Sequence, residues 1–158
     1  MGVTYSIETA TWHDLNALRQ VEKVCFGQDA WPLFDLIAVL SFPNIVRLKA
    51  TLENVMVGFV AGEIKTGEGA GWITTLGVLP DYRRQGIARS LLVECEEGLG
   101  MPQVKLSVRR SNLAAIQLYK EQGYSQTDVW PRYYLGGEDA LVLEKKRPKK
   151  SVDFPGES

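Results

Sequence analysis

Leu76-Gly77-Val78-Leu79-Pro80-Asp81-Tyr82-Arg83-Arg84-Gln85-Gly86-Ile87-Ala88-Arg89 carries an apolar strand through a basic turn into a helix. The strand stops at Pro80, which has no amide to give to a ladder. Helical spacing resumes at once: Ile87, Leu91, Leu92, Cys95 and Leu99 recur on one side, and Gly98, Gly100 and Pro102 close the segment. The first amides of such a helix have no partner within it, and the aligned peptide dipoles add partial positive charge. Gly86 and the small Ala88 let an anion approach the main chain, with Arg83, Arg84 and Arg89 as counter-charge. The group expected there is a pyrophosphate. A plainer alternative is a glycine that eases helix packing beside arginines on a solvated face, and this segment alone leaves both open. The G-x-G-x-x-G and G-x-x-x-x-G-K-[ST] signatures of nucleotide sites do not occur in the chain.

Working outward, residues 3–8 (VTYSIE) alternate like a half-buried strand, and Thr11 and Asp14 supply capping side chains for a helix running to about Phe26. Its core stripe is Leu15, Leu18, Val21 and either Val24 or Cys25. A short helix over 33–40 ends ahead of Phe42-Pro43. IVRLKATL and VMVGFVAGEI flank Glu53-Asn54 as a hairpin, and 71–80 follows as a third strand. Beyond the central helix, VKLSVR turns Val104, Leu106 and Val108 one way and Lys105, Ser107 and Arg109 the other. Ser111-Asn112 caps a helix that stops at Gly123, and a hairpin turning at 135–138 ends the domain. The order is strand, two helices, three strands, helix, strand, helix, two strands. It predicts an α/β (α+β) domain over 1–146, a mixed and mostly antiparallel twisted sheet of about seven strands with helices on both faces. Residues 147–158 form a polar, proline-containing tail expected to be disordered.

Composition narrows the function. A chain of 158 residues, 45% hydrophobic, can bury a sizeable core. A net charge of -1 offers no global field for nucleic acid, so no direct nucleic-acid partner is expected. The amino terminus lacks a signal peptide and no stretch approaches a bilayer span, so a soluble, cytoplasmic protein without a membrane partner is expected. Cys25 and Cys95 are far apart, outside any metal spacing, and read as buried thiols; no metal site is indicated. His13, at a helix start, and the four tryptophans, as core or groove aromatics, have structural readings. The Lys/Arg cluster over 145–150 reads as a solvated tail.

Two motifs in order carry a family resemblance. R-x-x-G-x-A after V-x-P-x-Y resembles the acyl-coenzyme A signature of the GNAT superfamily of acetyltransferases. Ser111-Asn112-Leu113-Ala114-Ala115-Ile116-Gln117-Leu118-Tyr119, then Gly123-Tyr124, resembles its second motif, S-N-x-x-A-x-x-L-Y-x-x-x-G-F/Y. The likeness covers roughly residues 3–145. Cys25-Phe26 with Trp31-Pro32, and Tyr133-Tyr134 ahead of Glu138-Asp139-Ala140, look like the subgroup that acetylates protein amino termini, whose bacterial representative acts on a ribosomal protein.

That resemblance implies an acetyl-CoA-dependent N-acetyltransferase with the GNAT fold, releasing CoA, in which a neutral amine attacks the thioester directly. A protein or peptide N-terminus, such as that of a ribosomal protein, is the implied acceptor. Main-chain groups of Leu76, Gly77 and Val78 would bind the pantetheine arm and the acetyl carbonyl; Arg84, Gln85, Gly86, Ile87, Ala88 and Arg89 would hold the pyrophosphate. Asn112 would meet the pantetheine as well as capping its helix. Tyr119 would be the general acid toward the departing sulfur, and Trp31, Tyr133 and Tyr134 would line the peptide groove. Ser107 stands where the ribosomal-protein subgroup has a glutamate base. A serine orders water but does not replace a carboxylate, which leaves Asp29, Tyr134 or solvent as acceptor. An α-amine of pKa about 7.7–8.0 loses its proton at physiological pH for roughly 0.5–1 kcal/mol, against about 4 for a lysine at pH 7.5. A weakened base therefore suits amino termini better than lysines. Two alternatives stay open: a GNAT enzyme for a small-molecule amine, and a catalytically weak acyl-CoA-binding module. The oligomeric state and the length of the acyl donor are not legible.

Overall fold

A computed structural model describes residues 4–147. Strands β1 (Ser6–Thr9), β2 (Ile45–Leu52), β3 (Val55–Lys65), β4 (Ala70–Val78), β5 (Gln103–Arg109), β6 (Ser125–Trp130) and β7 (Ala140–Lys146) form one sheet in the order β1-β2-β3-β4-β5-β7-β6. Every neighbouring pair is antiparallel except β4 with β5. Glu53 and Asn54 both take positive φ, the backbone a two-residue hairpin between twisted strands requires.

Helices α1 (Leu15–Phe26), α2 (Leu33–Ser41), α3 (Ile87–Leu99) and α4 (Leu113–Glu121) cover the sheet. Alternation along β3 separates two cores: Phe59 and Ala61 pack with Leu18, Val21, Leu36 and Val39 of α1 and α2, whereas Val60 packs with Leu91, Cys95 and Ile116 of α3 and α4. The helices thus lie on both faces of a mixed, mostly antiparallel sheet, as the patterning predicts. No helix among the described residues is long and apolar enough to cross a membrane.

Some local expectations shift. The first strand occupies Ser6–Thr9, starting later and ending one residue beyond the expected 3–8, of which residue 3 lies outside the described residues, and a short 3-10 turn, Trp12–Asp14, precedes α1. Cys25, not Val24, completes the α1 stripe, since Val24 is exposed and Cys25 half-buried. Gly98 lies inside α3 instead of closing it. A Cβ there would sit 3.0 Å from Val46 Cγ1, so the glycine lets the helix rest on β2. Trp12 is 69% exposed and stacks on the ring of His13, so it is neither core nor groove. Arg147, first residue of the expected tail, donates its amide to the Pro102 carbonyl at 2.7 Å. The rest of that tail lies outside the described residues.

Candidate active site

β4 and β5 pair only from Ala70 and Gln103 to Ile73 and Leu106. β3 follows β4 as far as Val78, and β7 follows β5 as far as Arg109. The two central strands therefore lean on different neighbours beyond Ile73, and a gap opens between them. The register of β3 against β4 shifts at Ala61, leaving Thr74 as an extra residue whose hydroxyl donates to the Ala61 carbonyl at 3.1 Å. An extra residue bends and twists a strand, and this one falls where β4 leaves β5. From there to Val78 the edge of β4 that faces β5 has no strand partner among the described residues.

The gap continues into a cleft of about 790 Å³, bounded by Cys25 and Phe26 at the end of α1, by Leu76, Gly77 and Val78 of β4, by the Tyr82–Arg89 turn, and by Asn112, Ala115, Leu118 and Tyr119 of α4. Gly77 makes the α1 wall possible, because a Cβ on it would lie 3.1 Å from Cys25 Sγ. At the far end Arg84 (φ 65) and Gly86 (φ 80) are both left-handed, and Gly86 caps α3. Among the described residues the amides of Arg84 through Arg89 have no backbone partner, and the first amide bonded back is Ser90, to the Gly86 carbonyl at 3.0 Å. A Cβ on Gly86 would meet no atom within 4 Å, so the space above these amides is open. This is an anion site of backbone donors at the positive end of a 13-residue helix. Arg83 is committed elsewhere: its Nε donates to the Val78 carbonyl at 2.8 Å and folds the turn back on the strand.

Tyr119 sits at the other end of the cleft, almost buried, its ring edge-on to Tyr124 at 5.7 Å between centroids. Burial pushes its phenol well above the ordinary tyrosine range, with Tyr134 close enough to add to the effect. It is therefore a proton donor throughout the physiological range. Asn112 Oδ1 accepts from the Ala115 amide at 3.2 Å, so its capping role is real, and it lines the cleft as well. Cys25 also lines the cleft, but burial pushes its thiol up and keeps it out of the thiolate form.

On the face of the sheet toward α1, the Tyr134 hydroxyl donates to Ser107 Oγ at 3.4 Å. Burial raises the Tyr134 phenol, opposed by that bond and by Arg109, whose guanidinium stacks over the ring at 4.7 Å. Arg109 was not singled out from the sequence, yet it joins three segments. It donates to both oxygens of Asp29 at 2.6 and 2.7 Å and to the Leu135 carbonyl at 3.2 Å, and it lies 3.8 Å from Glu138. Glu138 in turn accepts from the Ser111 amide and hydroxyl, which hold its carboxyl below the usual range. Asp29 belongs to the α1–α2 connection and Leu135–Glu138 to the β6–β7 loop, so one guanidinium ties together the segments flanking the gap. Both Asp29 oxygens are thus engaged by Arg109.

A second residue missed at the sequence level is Glu22, 2% exposed on the inner side of α1. Its Oε2 accepts from the Thr75 hydroxyl at 3.3 Å, and among the described residues no donor comes within hydrogen-bond geometry of Oε1, the Trp31 amide acting on the carboxyl from outside it. Burial pushes its carboxyl up to about 7 against the opposing pull of Thr75 and the Trp31 amide. A charged residue one turn after Leu18, beside Val21 on an otherwise apolar stripe, was the available signal.

Of the residues singled out from the sequence, Leu76, Gly77, Val78, Arg84, Gly86, Ile87, Ala88, Arg89, Asn112 and Tyr119 border the one cleft. Gln85 lies in the same turn without lining it. Ser107 and Tyr134 stand together on the α1 side of the sheet. Tyr133 is exposed and packs edge-on against Tyr134, and Trp31 lines a separate cavity between α1 and α2.

Residues 12–124 match the acetyltransferase (GNAT) family. The chain is 33% identical over 146 residues to the catalytic subunit NAA10 of the N-terminal acetyltransferase A complex of Arabidopsis thaliana, covering 88% of this chain and 76% of that one. The Escherichia coli ribosomal-protein-S18-alanine N-acetyltransferase superposes with a TM-score of 0.82 at 24% identity, over 96% of this chain and all of the other. Arabidopsis thaliana Naa50, solved with the bisubstrate analogue CoA-Ac-MVNAL, superposes at 0.80 with 25% identity, over 92% of this chain and all of that one. With a cleft between diverging strands that ends on unpaired helix amides, and a family match across most of its length, the chain belongs to the acetyltransferase (GNAT) family.

Proposed function

We propose that this protein transfers the acetyl group of acetyl-CoA to the α-amine of a protein or peptide amino terminus, with residues 1–146 acting as one domain in the cytoplasm. The observation that carries this is the gap between β4 and β5, open on the α3–α4 side to a cleft ending at the Arg84–Arg89 amides and flanked on the α1 side by two segments clamped by Arg109. The relatives support the acceptor: the Arabidopsis protein is named for amino-terminal acetylation and the Escherichia coli one for a ribosomal protein's alanine.

The residues present fit the cosubstrate. Acetyl-CoA brings an activated thioester and a pyrophosphate. The Arg84–Arg89 amides bind the pyrophosphate oxygens, with Arg84 and Arg89 as counter-charge, and Asn112 meets the pantetheine. Backbone groups on the unpaired edge of Leu76–Val78 orient the acetyl carbonyl and stabilise the charge that develops on its oxygen. Tyr119, held protonated, gives its proton to the departing sulfur. The amine attacks directly: Cys25 is kept as a thiol, and Cys95 is buried in the core with its thiol pushed up to about 12. Tyr133 and Tyr134 line the path of the incoming peptide, Trp31 stays on the separate cavity beside α1, and Ser107 with Tyr134 orders the water beside the amine.

An acetyl-CoA assay over peptides differing only in their first two residues tests this. A sharp preference is expected, and an Ala-starting peptide should outcompete the same peptide blocked at its terminus but bearing a free lysine. Equal rates on the two overturn the amino-terminal assignment, and coenzyme A binding without turnover on any amine returns the protein to an acyl-CoA-binding module.

A further inference from the structure

Two small hydroxyls flank the gap on the same face of the sheet. Trp72 and Lys105 are in register across β4 and β5, and Lys105 Nζ lies 5.8 Å from the Trp72 ring, so both point toward the α1 side. Ser107 follows Lys105 by two residues and shares that face. Thr75, beyond the bulge at Thr74, meets Glu22 of α1 on it. Each hydroxyl is bonded to one titratable side chain, Ser107 to Tyr134 and Thr75 to Glu22. A protonated phenol is too weak a base to take a proton from an ammonium, whereas Glu22 is a carboxyl with one oxygen unpartnered among the described residues, inside the packed face of a helix. Burying such a group opposes folding, and a leucine or glutamine would fill the place at less cost.

The surroundings do not neutralise it. From its own helix, Arg19 and Lys23 stand on the walls of the neighbouring cavity, and Cys25 lies nearly a turn further on with Arg83 beside it. The α1–α2 connection presents the Trp31 amide, and its acidic Asp29 is held by Arg109. α2 presents Leu36 and β3 presents Phe59, neither of them titratable. Among the described residues no cation forms an ion pair with Glu22.

We infer that Glu22 is the proton acceptor for the substrate amine, reached through the Thr75 hydroxyl, and takes the place of the carboxylate missing at Ser107. This rests on the acetyl-transfer reading above. The ammonium gives a proton to Thr75 Oγ1 as that hydroxyl passes its own to Glu22 Oε2. The amine keeps its lone pair for the thioester, and the carboxylate becomes a carboxylic acid. Glu22 also lines a cavity of about 480 Å³ between α1 and the Ala30–Leu36 segment, through which the proton returns to water. A carboxyl pushed up to about 7 is partly ionised at neutral pH and close to the α-amine it must relieve.

The test is the pH profile of kcat/KM for an amino-terminal peptide, measured with calorimetric affinity for CoA. Glu22→Gln should lower kcat/KM at pH 7 by about tenfold, since roughly a tenth of an α-amine with a pKa near 8 is already neutral there and needs no acceptor. It should also remove the acid limb near pH 7, leaving the limb of the amine, with CoA affinity unchanged. Thr75→Val should do the same with the carboxyl still in place, and Thr75→Ser should restore the wild-type profile. A loss uniform across pH, or no loss, in either variant overturns the proposal and assigns Glu22 a structural role. If Glu22→Gln does not fold, Thr75→Val decides alone. A wild-type protein that acetylates no amino-terminal peptide removes the preceding reading instead, which keeps the two failures distinct.

Discussion

Glu22→Gln should make the protein more stable in mildly alkaline solution while it damages the reaction. A carboxyl that ionises near 7 in the fold and near 4.5 unfolded leaves the native state holding a proton that the unfolded chain has released between those values. Stability from this group is complete below pH 4.5, falls as pH rises to about 7, and is flat above. At about 1.36 kcal/mol per tenfold in proton affinity, the native state at pH 8 is weaker by about 3 kcal/mol than with a neutral side chain there. Glutamine keeps the shape and supplies a donor, so most of that difference should reappear as a gain. For a chain of this size it amounts to roughly 5–10 °C in Tm. Urea melts of both proteins at pH 5 and pH 8 measure it. The carboxyls of Asp14 and Glu138, held low by their own partners, titrate in both and cancel in the difference. A stability gap of the same size at both pH values would show that Glu22 is not ionising inside the fold.

Other substitutions separate the parts of the site. Tyr119→Phe removes only the hydroxyl, and kcat should fall by about 100-fold with CoA affinity unchanged by calorimetry. Gly86→Ala puts a side chain at φ 80, where L residues are strained by roughly 1–2 kcal/mol; about tenfold weaker CoA binding is expected, read by titration of CoA. Arg109→Lys keeps the charge but loses the two-pronged grip on Asp29. The KM for peptide should rise about tenfold while that for acetyl-CoA stays put.

The strand, turn and helix that border the cleft were legible because they are neighbours in sequence. Strand, turn, Gly86 and α3 follow one another, and main-chain donors at a helix start need no distant partner. The acceptor half was not, because it is assembled across the fold. Asp29, Arg109 and Glu138 are brought together from a loop, a strand and a second loop, and no local pattern announces a guanidinium that must reach both. Glu22 was visible only as a charge on an apolar stripe, a pattern that helices also show where a long side chain reaches water. Its partner Thr75 is 53 residues away, and it faces α1 only because the bulge at Thr74 resets the alternation of β4. Gly98 was misplaced for the same kind of reason: near a helix end a glycine reads as a stop, and only the approach of Val46 shows it to be a contact.

The bulge links the two halves. Without the extra residue Thr74, β4 would keep its pairing with β5, Leu76–Val78 would spend their free edge on the sheet, and the next residue facing α1 would change. One insertion thus leaves the main-chain edge of Leu76–Val78 free for the proposed thioester contact and turns the Thr75 hydroxyl toward Glu22. The reaction needs both at one point, because the carbonyl must be held within reach of an amine that is losing its proton. Placing the carboxyl under α1 instead of on β5 also leaves Ser107 small, so the space beside Tyr134 stays open to the peptide. The burial that weakens the fold above pH 7 is the same burial that brings the proton affinity of Glu22 close to that of an amino terminus.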